Sequence, residues 1–190
     1  GARDDAGSRA IEYEASGTWV QNSRIAHSLS LEYERDRNDA QWIDNIPGSG
    51  RGIGDVSYVF AELEQRTWDH TLRSSALFSR DQSLELYVQP FLTVGDYDRL
   101  RELATPDSYD LQSYDGFEVE DEDFTYAAVN LNLVYRWEYR PGSTFYLVWT
   151  HSHQDYDERG YHGIDDNGFD NGFSTDAMFG NEAENVFLAK

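Results

Sequence analysis

The chain has 190 residues, with 15 lysines and arginines against 36 aspartates and glutamates, so its net charge is −21; it holds no cysteine. Disulfide scaffolds and thiolate metal sites are therefore excluded, nucleic acid is disfavoured as a partner because its phosphates would be repelled, and no apolar run approaches the ~20 residues of a membrane-spanning helix. The 13 tyrosines, 10 phenylalanines and 5 tryptophans also separate it from disordered acidic chains, which are poor in aromatics.

The chain opens on Gly1-Ala2-Arg3-Asp4-Asp5. Neither an initiator methionine nor a signal-peptide core is visible there, as expected of a processed chain or an interior piece. Beyond it, helical periodicity is weak and period-two alternation is strong. Strands are expected near 9–20, 24–36, 56–79, 83–95, 124–140, 143–156 and 184–190, all within one β domain over 1–190. In the first, Ile11, Tyr13, Ala15, Gly17 and Trp19 alternate with Glu12, Glu14, Ser16 and Thr18. The second sets Ile25, His27, Leu29, Leu31 and Tyr33 against Ser28, Ser30, Glu32 and Glu34. In the third, Leu72, Ala76 and Phe78 face away from Arg73 and Ser75. The fourth turns Leu84, Leu86, Val88, Leu92 and Val94 away from Glu85 and Gln89. The fifth is the clearest: Ala127, Val129, Leu131, Leu133, Tyr135, Trp137 and Tyr139 form one face. Asn130, Asn132, Arg136, Glu138 and Arg140 form the other, with Val134 the exception. Pro141-Gly142-Ser143 is a reverse-turn composition that folds this strand onto the sixth.

Connections alternate in length. Gln21-Asn22-Ser23, Arg80-Asp81-Gln82 and Pro141-Gly142-Ser143 are short; Arg37–Asp55, Asp96–Asp123 and Asp157–Ala183 are long and polar. A transmembrane β-barrel has this asymmetry, with short turns on one side and long loops on the other. The expected fold is thus all-β, an antiparallel up-and-down meander forming part of such a barrel. Trp19, Phe78, Trp137, Tyr139 and Phe145 fall near short turns, where a lower aromatic girdle would sit. Lumen-lining candidates are Arg73, Glu85, Gln89, Arg136, Glu138 and Arg140; they would either brace the wall or select a polar solute. The third strand is too long for one span, and its Tyr58–Arg66 part is expected to rise above the bilayer. Single-chain bacterial barrels have even strand numbers. The odd count here therefore carries the expectation of missing upstream strands, or of other chains, that complete the barrel.

Several runs carry a resemblance. They are Leu63-Glu64-Gln65-Arg66-Thr67, Gln89-Pro90-Phe91 with Gly95-Asp96-Tyr97, and Asn185-Val186-Phe187-Leu188. The most specific is Arg136-Trp137-Glu138-Tyr139-Arg140-Pro141-Gly142-Ser143-Thr144, leading into Leu147-Val148-Trp149. Together they resemble the C-terminal barrel region of a domain-of-unknown-function family of Gram-negative bacteria. In that family a domain similar to family-nine carbohydrate-binding modules precedes an outer-membrane β-barrel. The resemblance implies an outer-membrane location, lipid as a partner and polysaccharide as a candidate ligand. It supplies no catalytic residue.

Other motifs offer chemistry. Asp165, Asp166, Asn167, Asp170 and Asn171 sit in a tandem Asp-Asn-Gly-Phe repeat whose oxygens suit Ca²⁺, although the spacing is not that of an EF-hand and Asn-Gly also forms plain turns. No other cofactor is expected. His151, His153 and Asp155 share one strand face, as metal ligands or as polar residues at an interface. Glu118, Glu120, Asp121, Glu122 and Asp123 form an acidic run that reads as a solvated loop or a cation-binding patch. Tyr109, Tyr114, Phe117, Tyr161, Phe169 and Phe173 could stack on sugar rings or pack their loops together. The expected function is non-enzymatic: passage or surface binding of a polar ligand, with carbohydrate the class the resemblance supplies. The alternatives are a soluble, secreted, extracellular β-sandwich binding module, and a self-associating, filament-forming β protein.

Overall fold

The computed structural model describes residues 2–3, 8–48, 50, 52–116, 123–157 and 183–190. They form strands and no helix. The strands are β1 (Ala2–Arg3), β2 (Arg9–Asn22), β3 (Ile25–Pro47), β4 (Val56–Leu77), β5 (Gln82–Leu103), β6 (Leu111–Ser113), β7 (Phe124–Arg140), β8 (Ser143–Asp157) and β9 (Glu184–Ala189).

All strands belong to one 9-stranded sheet in the order β1-β2-β3-β4-β5-β7-β8-β9, with β6 paired to the upper part of β5. Every pairing is antiparallel. This is the expected meander. The sheet is open rather than closed: β1 and β9 are its two ends, with no pairing between them among the described residues. It is also a single layer. Elements in substantial contact are hydrogen-bonded neighbours, so no second sheet stacks on either face among the described residues. A two-sheet sandwich is not what these residues form.

Three tight turns lie at one end. Between β2 and β3, Asn22 Oδ1 accepts from the Arg24 amide at 2.8 Å, an Asx turn that reverses the chain. Phe78–Asp81 joins β4 to β5, and Pro141-Gly142 joins β7 to β8. Gly142 has φ 80°, a conformation that a Cβ would oppose.

The main departures from the sequence expectation lie at the other end. β3 runs to Pro47 rather than to about 36, and β5 to Leu103 rather than to about 95. Hydrophobic alternation is lost there because charged and apolar residues fall on both faces and bulges shift the phase, but backbone pairing continues. Ion pairs replace apolar contact: Arg37 Nη2 meets Glu62 at 2.7 Å, and Arg35 Nη2 meets Glu64 at 2.7 Å. Register shifts between Asn38 and Gln41, between Trp42 and Asp44, and between Phe60 and Glu62 mark bulges in this region. Arg99, with φ 55°, sits in the bulged part of β5 and meets Glu62 at 2.5 Å. The short strands β1 and β6 were not expected either. β6 closes a small core of Val59, Ala61, Leu100 and Tyr114, with Ile43, Ile46 and Tyr97 against it.

Candidate functional site

The pairing register sorts the lower sheet into two faces. On the apolar face the upper row is Tyr13, Tyr33, Trp68, Leu92 and Ala127. Its rings touch, Tyr13 with Tyr33 at 6.3 Å and Tyr33 with Trp68 at 5.4 Å between centroids. A middle row runs Gly17, Leu29, Leu72, Val88 and Leu131. At the turn end Trp137 pairs with Phe145, and Trp137 meets Tyr139 at 6.0 Å. Between the Tyr13 and Trp137 rows, this face of β2 through β7 carries no aspartate, glutamate, lysine or arginine. On β7 the interval is Ala127 to Trp137, within the ~9–11 residues a tilted strand needs to cross hydrocarbon. Immediately above it, Arg35 pairs with Arg66 and Arg37 with Glu64, so the charged zone begins abruptly. Polar atoms inside the apolar zone satisfy each other: His27 Nδ1 lies 2.8 Å from Ser74 Oγ.

The opposite face reads differently row by row. Thr18, Ser28, Arg73, Tyr87, Asn132 and Thr150 form one line across the sheet. Higher up, Glu14, Glu32 and Asp69 stand directly opposite one another, and Glu12 faces Glu34. Like charges in register repel, so these side chains need water or cations around them.

Arg73 is the centre of this face. Its guanidinium carbon lies 5.0 Å from the Tyr87 ring centroid, a cation–π contact. The Tyr87 hydroxyl donates to Gln89 Oε1 at 2.6 Å, and Gln89 Nε2 donates to both Asp69 oxygens at 3.1 and 3.0 Å. A cavity of about 430 Å³ opens beside Arg73, lined by Thr18, Ser28, Ser75, Glu85, Tyr87 and Asn132 among others. Thr150 Oγ1 donates to Asn132 Oδ1 at 2.9 Å and so fixes the amide at its rim. The arrangement can hold a polar solute through hydroxyls, an amide and one guanidinium. The lining also includes His27 and Ser74, whose Nδ1 and Oγ lie 2.8 Å apart.

The sequence candidates separate into two groups. Arg73 and Glu85 line the cavity, and Gln89 joins Arg73 through Tyr87. Arg136, Glu138 and Arg140 do not join them. Arg136 meets Glu138 at 3.1 Å, and Glu138 Oε1 accepts from the Gly142 amide at 3.1 Å, so this pair braces the β7–β8 turn. Arg140 is exposed beside that turn.

His151 and His153 are buried on the apolar face, where they pair with Leu131 and Val129. His151 Nδ1 lies 3.0 Å from Asn185 Oδ1. No group of three or more metal-ligating side chains occurs among the described residues. The Ca²⁺ candidates Asp165, Asp166, Asn167, Asp170 and Asn171 lie outside the described residues, as do Glu118–Glu122 and the aromatics Phe117, Tyr161, Phe169 and Phe173. Asp123 is described: its Oδ1 accepts from the Tyr97 amide at 2.6 Å, a structural role. Tyr114 is buried in the upper core, whereas Tyr109 is exposed.

Tyr87, Asp69, Asn132 and Thr150 were not singled out from the sequence. The signal for Tyr87 was present, because it alternates in phase with Glu85 and Gln89. An aromatic ring among polar positions of one strand face is an exception that asks for a partner.

The geometry defines a class: a single-layer antiparallel meander with one apolar and one polar face. The sequence matches the family described as domain of unknown function (DUF5916) over residues 2–186, and the chain belongs to that family. No curated protein and no solved structure matches it.

Proposed function

We propose that this chain is a wall segment of a bacterial outer-membrane β-barrel, without catalytic role, that passes or binds a polar solute. Its partners would be membrane lipid on the apolar face and further strands at the open ends of the sheet. Carbohydrate is the ligand class suggested by the carbohydrate-binding-like domain of the family it resembles.

The observation that supports this reading is the distribution of charge over an uncovered sheet. Leu29 is 44% exposed and Leu31 39% exposed, and no second layer covers them among the described residues. In water such a surface would be an aggregation hazard. Against hydrocarbon it is what a spanning strand requires, with aromatic rows at both margins.

The test uses the full-length protein that contains this chain, inserted into liposomes. Leu29→Arg places a charge at the middle of the apolar zone and should cost about 2–4 kcal/mol of insertion free energy. Ser30→Arg, one residue on and on the polar face, should be tolerated. A protein that purifies as a monomer without detergent, and accepts Leu29→Arg without loss, would refute the proposal.

A further inference from the structure

We infer that Arg73 is the recognition point for a carboxylate, so that this wall takes polar solutes bearing a single carboxylate group; the inference rests on the polar face lining the solute's path. Arg73 makes no ion pair among the described residues. Asp69 lies on the same face and accepts from Gln89 rather than from Arg73. Glu85 lines the same cavity without pairing to Arg73.

Arg73 is nonetheless held in place. The Tyr87 ring lies beneath it, and Tyr87 is fixed through Gln89 to Asp69. A guanidinium held by an aromatic ring keeps its in-plane N–H donors, and two parallel donors match the two oxygens of a carboxylate. Ser28, Thr18 and Asn132 around the cavity supply hydrogen bonds for a polar body. The rows above limit the total charge. Glu14, Glu32 and Asp69 would repel a polyanion before it reached Arg73. The fitting class is a solute whose one carboxylate is its only charge, or is balanced by an amine. Sugar acids and amino acids share that chemistry.

The experiment is a liposome-swelling assay on the full-length protein, with glucuronate, glucose and alanine as probes. With the wild type, glucuronate should pass at least as fast as uncharged glucose, despite the acidic wall. Arg73→Gln should slow glucuronate about tenfold relative to glucose, the loss of a charge-assisted pair. Arg73→Lys keeps the charge but not the fork, and should fall between the two. Alanine following glucuronate through the variant series supports recognition of the carboxylate on any small body. Alanine indifferent to Arg73, with glucuronate sensitive, supports sugar acids alone. Glucuronate and glucose passing alike in both wild type and Arg73→Gln would overturn the inference and leave the barrel reading intact. No passage of any probe would overturn both.

Discussion

Arg35 and Arg66 stand directly opposite each other on β3 and β4, and Glu64 binds both. One oxygen of Glu64 takes Arg35 Nη2 at 2.7 Å; the other takes Arg66 Nη2 at 2.6 Å and Nε at 2.9 Å. Two cations in register would repel, so the carboxylate holds the ladder together where hydrophobic alternation has ended. Burial pushes the Glu64 carboxyl up, but the hydrogen bonds and charges of Arg35 and Arg66 outweigh it and hold the group below the usual carboxylate range. A depressed carboxyl contributes stability that is full above its unfolded value, near 4.5, and is lost as pH falls through the folded value. Glu64→Gln should weaken the upper β3–β4 ladder by about 1 kcal/mol at neutral pH, the size kept small by solvent screening. It should also remove the acid-dependent loss. Amide hydrogen exchange of residues 35–38 and 63–66, followed from pH 7 to pH 3, reads both effects. Identical pH profiles for wild type and variant would count against the bridge.

Gly95 pairs with Phe124 across β5 and β7, and the ring covers the glycine. A Cβ on Gly95 would come 2.2 Å from Phe124 Cε1. Phe124 also stacks near Tyr156 at 6.5 Å, so displacing it disturbs β8 as well. Gly95→Val should destabilise the sheet by about 1–3 kcal/mol through overpacking. The double variant Gly95→Val with Phe124→Ala should recover part of that loss. Denaturant titration of the four proteins of this cycle gives the coupling, and strict additivity would show that the ring and the glycine do not interact.

Glu102 is 1% exposed, and its two oxygens accept from Ser57 Oγ at 2.5 Å and Gln112 Nε2 at 3.0 Å. Ser57→Ala removes a hydrogen bond to a buried carboxyl and should cost about 1–3 kcal/mol. The loss should be local. Exchange protection of Leu111–Ser113 should fall, while that of β7 and β8 stays unchanged. Unchanged protection at Leu111–Ser113 would contradict the assignment.

Trp68 lies between Tyr33 and Leu92 in the upper aromatic row, and Leu92 is 2% exposed beneath it. Trp68→Ala should cost about 1–2 kcal/mol by uncovering Leu92. Trp68→Phe should retain most of the contact. Thermal unfolding of the two variants separates them, and equal stability would mean that the ring buries little.

The lower sheet was legible because each strand there has one apolar face, so Leu29, Leu72, Val88 and Leu131 announce both their strands and their orientation. Chain reversals were legible for a similar reason: Asn22 and Gly142 have the chemistry that tight turns require. The upper sheet was not. From Asp36 onward β3 mixes charged and apolar residues on both faces and its bulges shift the phase, so a code written in hydrophobic alternation falls silent while backbone pairing goes on. The candidate site was half legible. Arg73, Glu85 and Gln89 could be placed on one face by counting. The link from Arg73 to Gln89 runs through Tyr87 and on to Asp69, and it depends on which residues stand opposite across strands, which alternation alone does not give.

The bulges near Asn38, Trp42 and Phe60 imply an uneven tolerance to insertion and deletion. Between Ala127 and Trp137 a single added or lost residue would turn every following side chain to the wrong side, exchanging leucines for asparagines along the rest of the strand. Above Asp36 the ladder already absorbs such offsets within its own twist. Length variation among homologous chains should therefore collect in that upper region and be nearly absent below it.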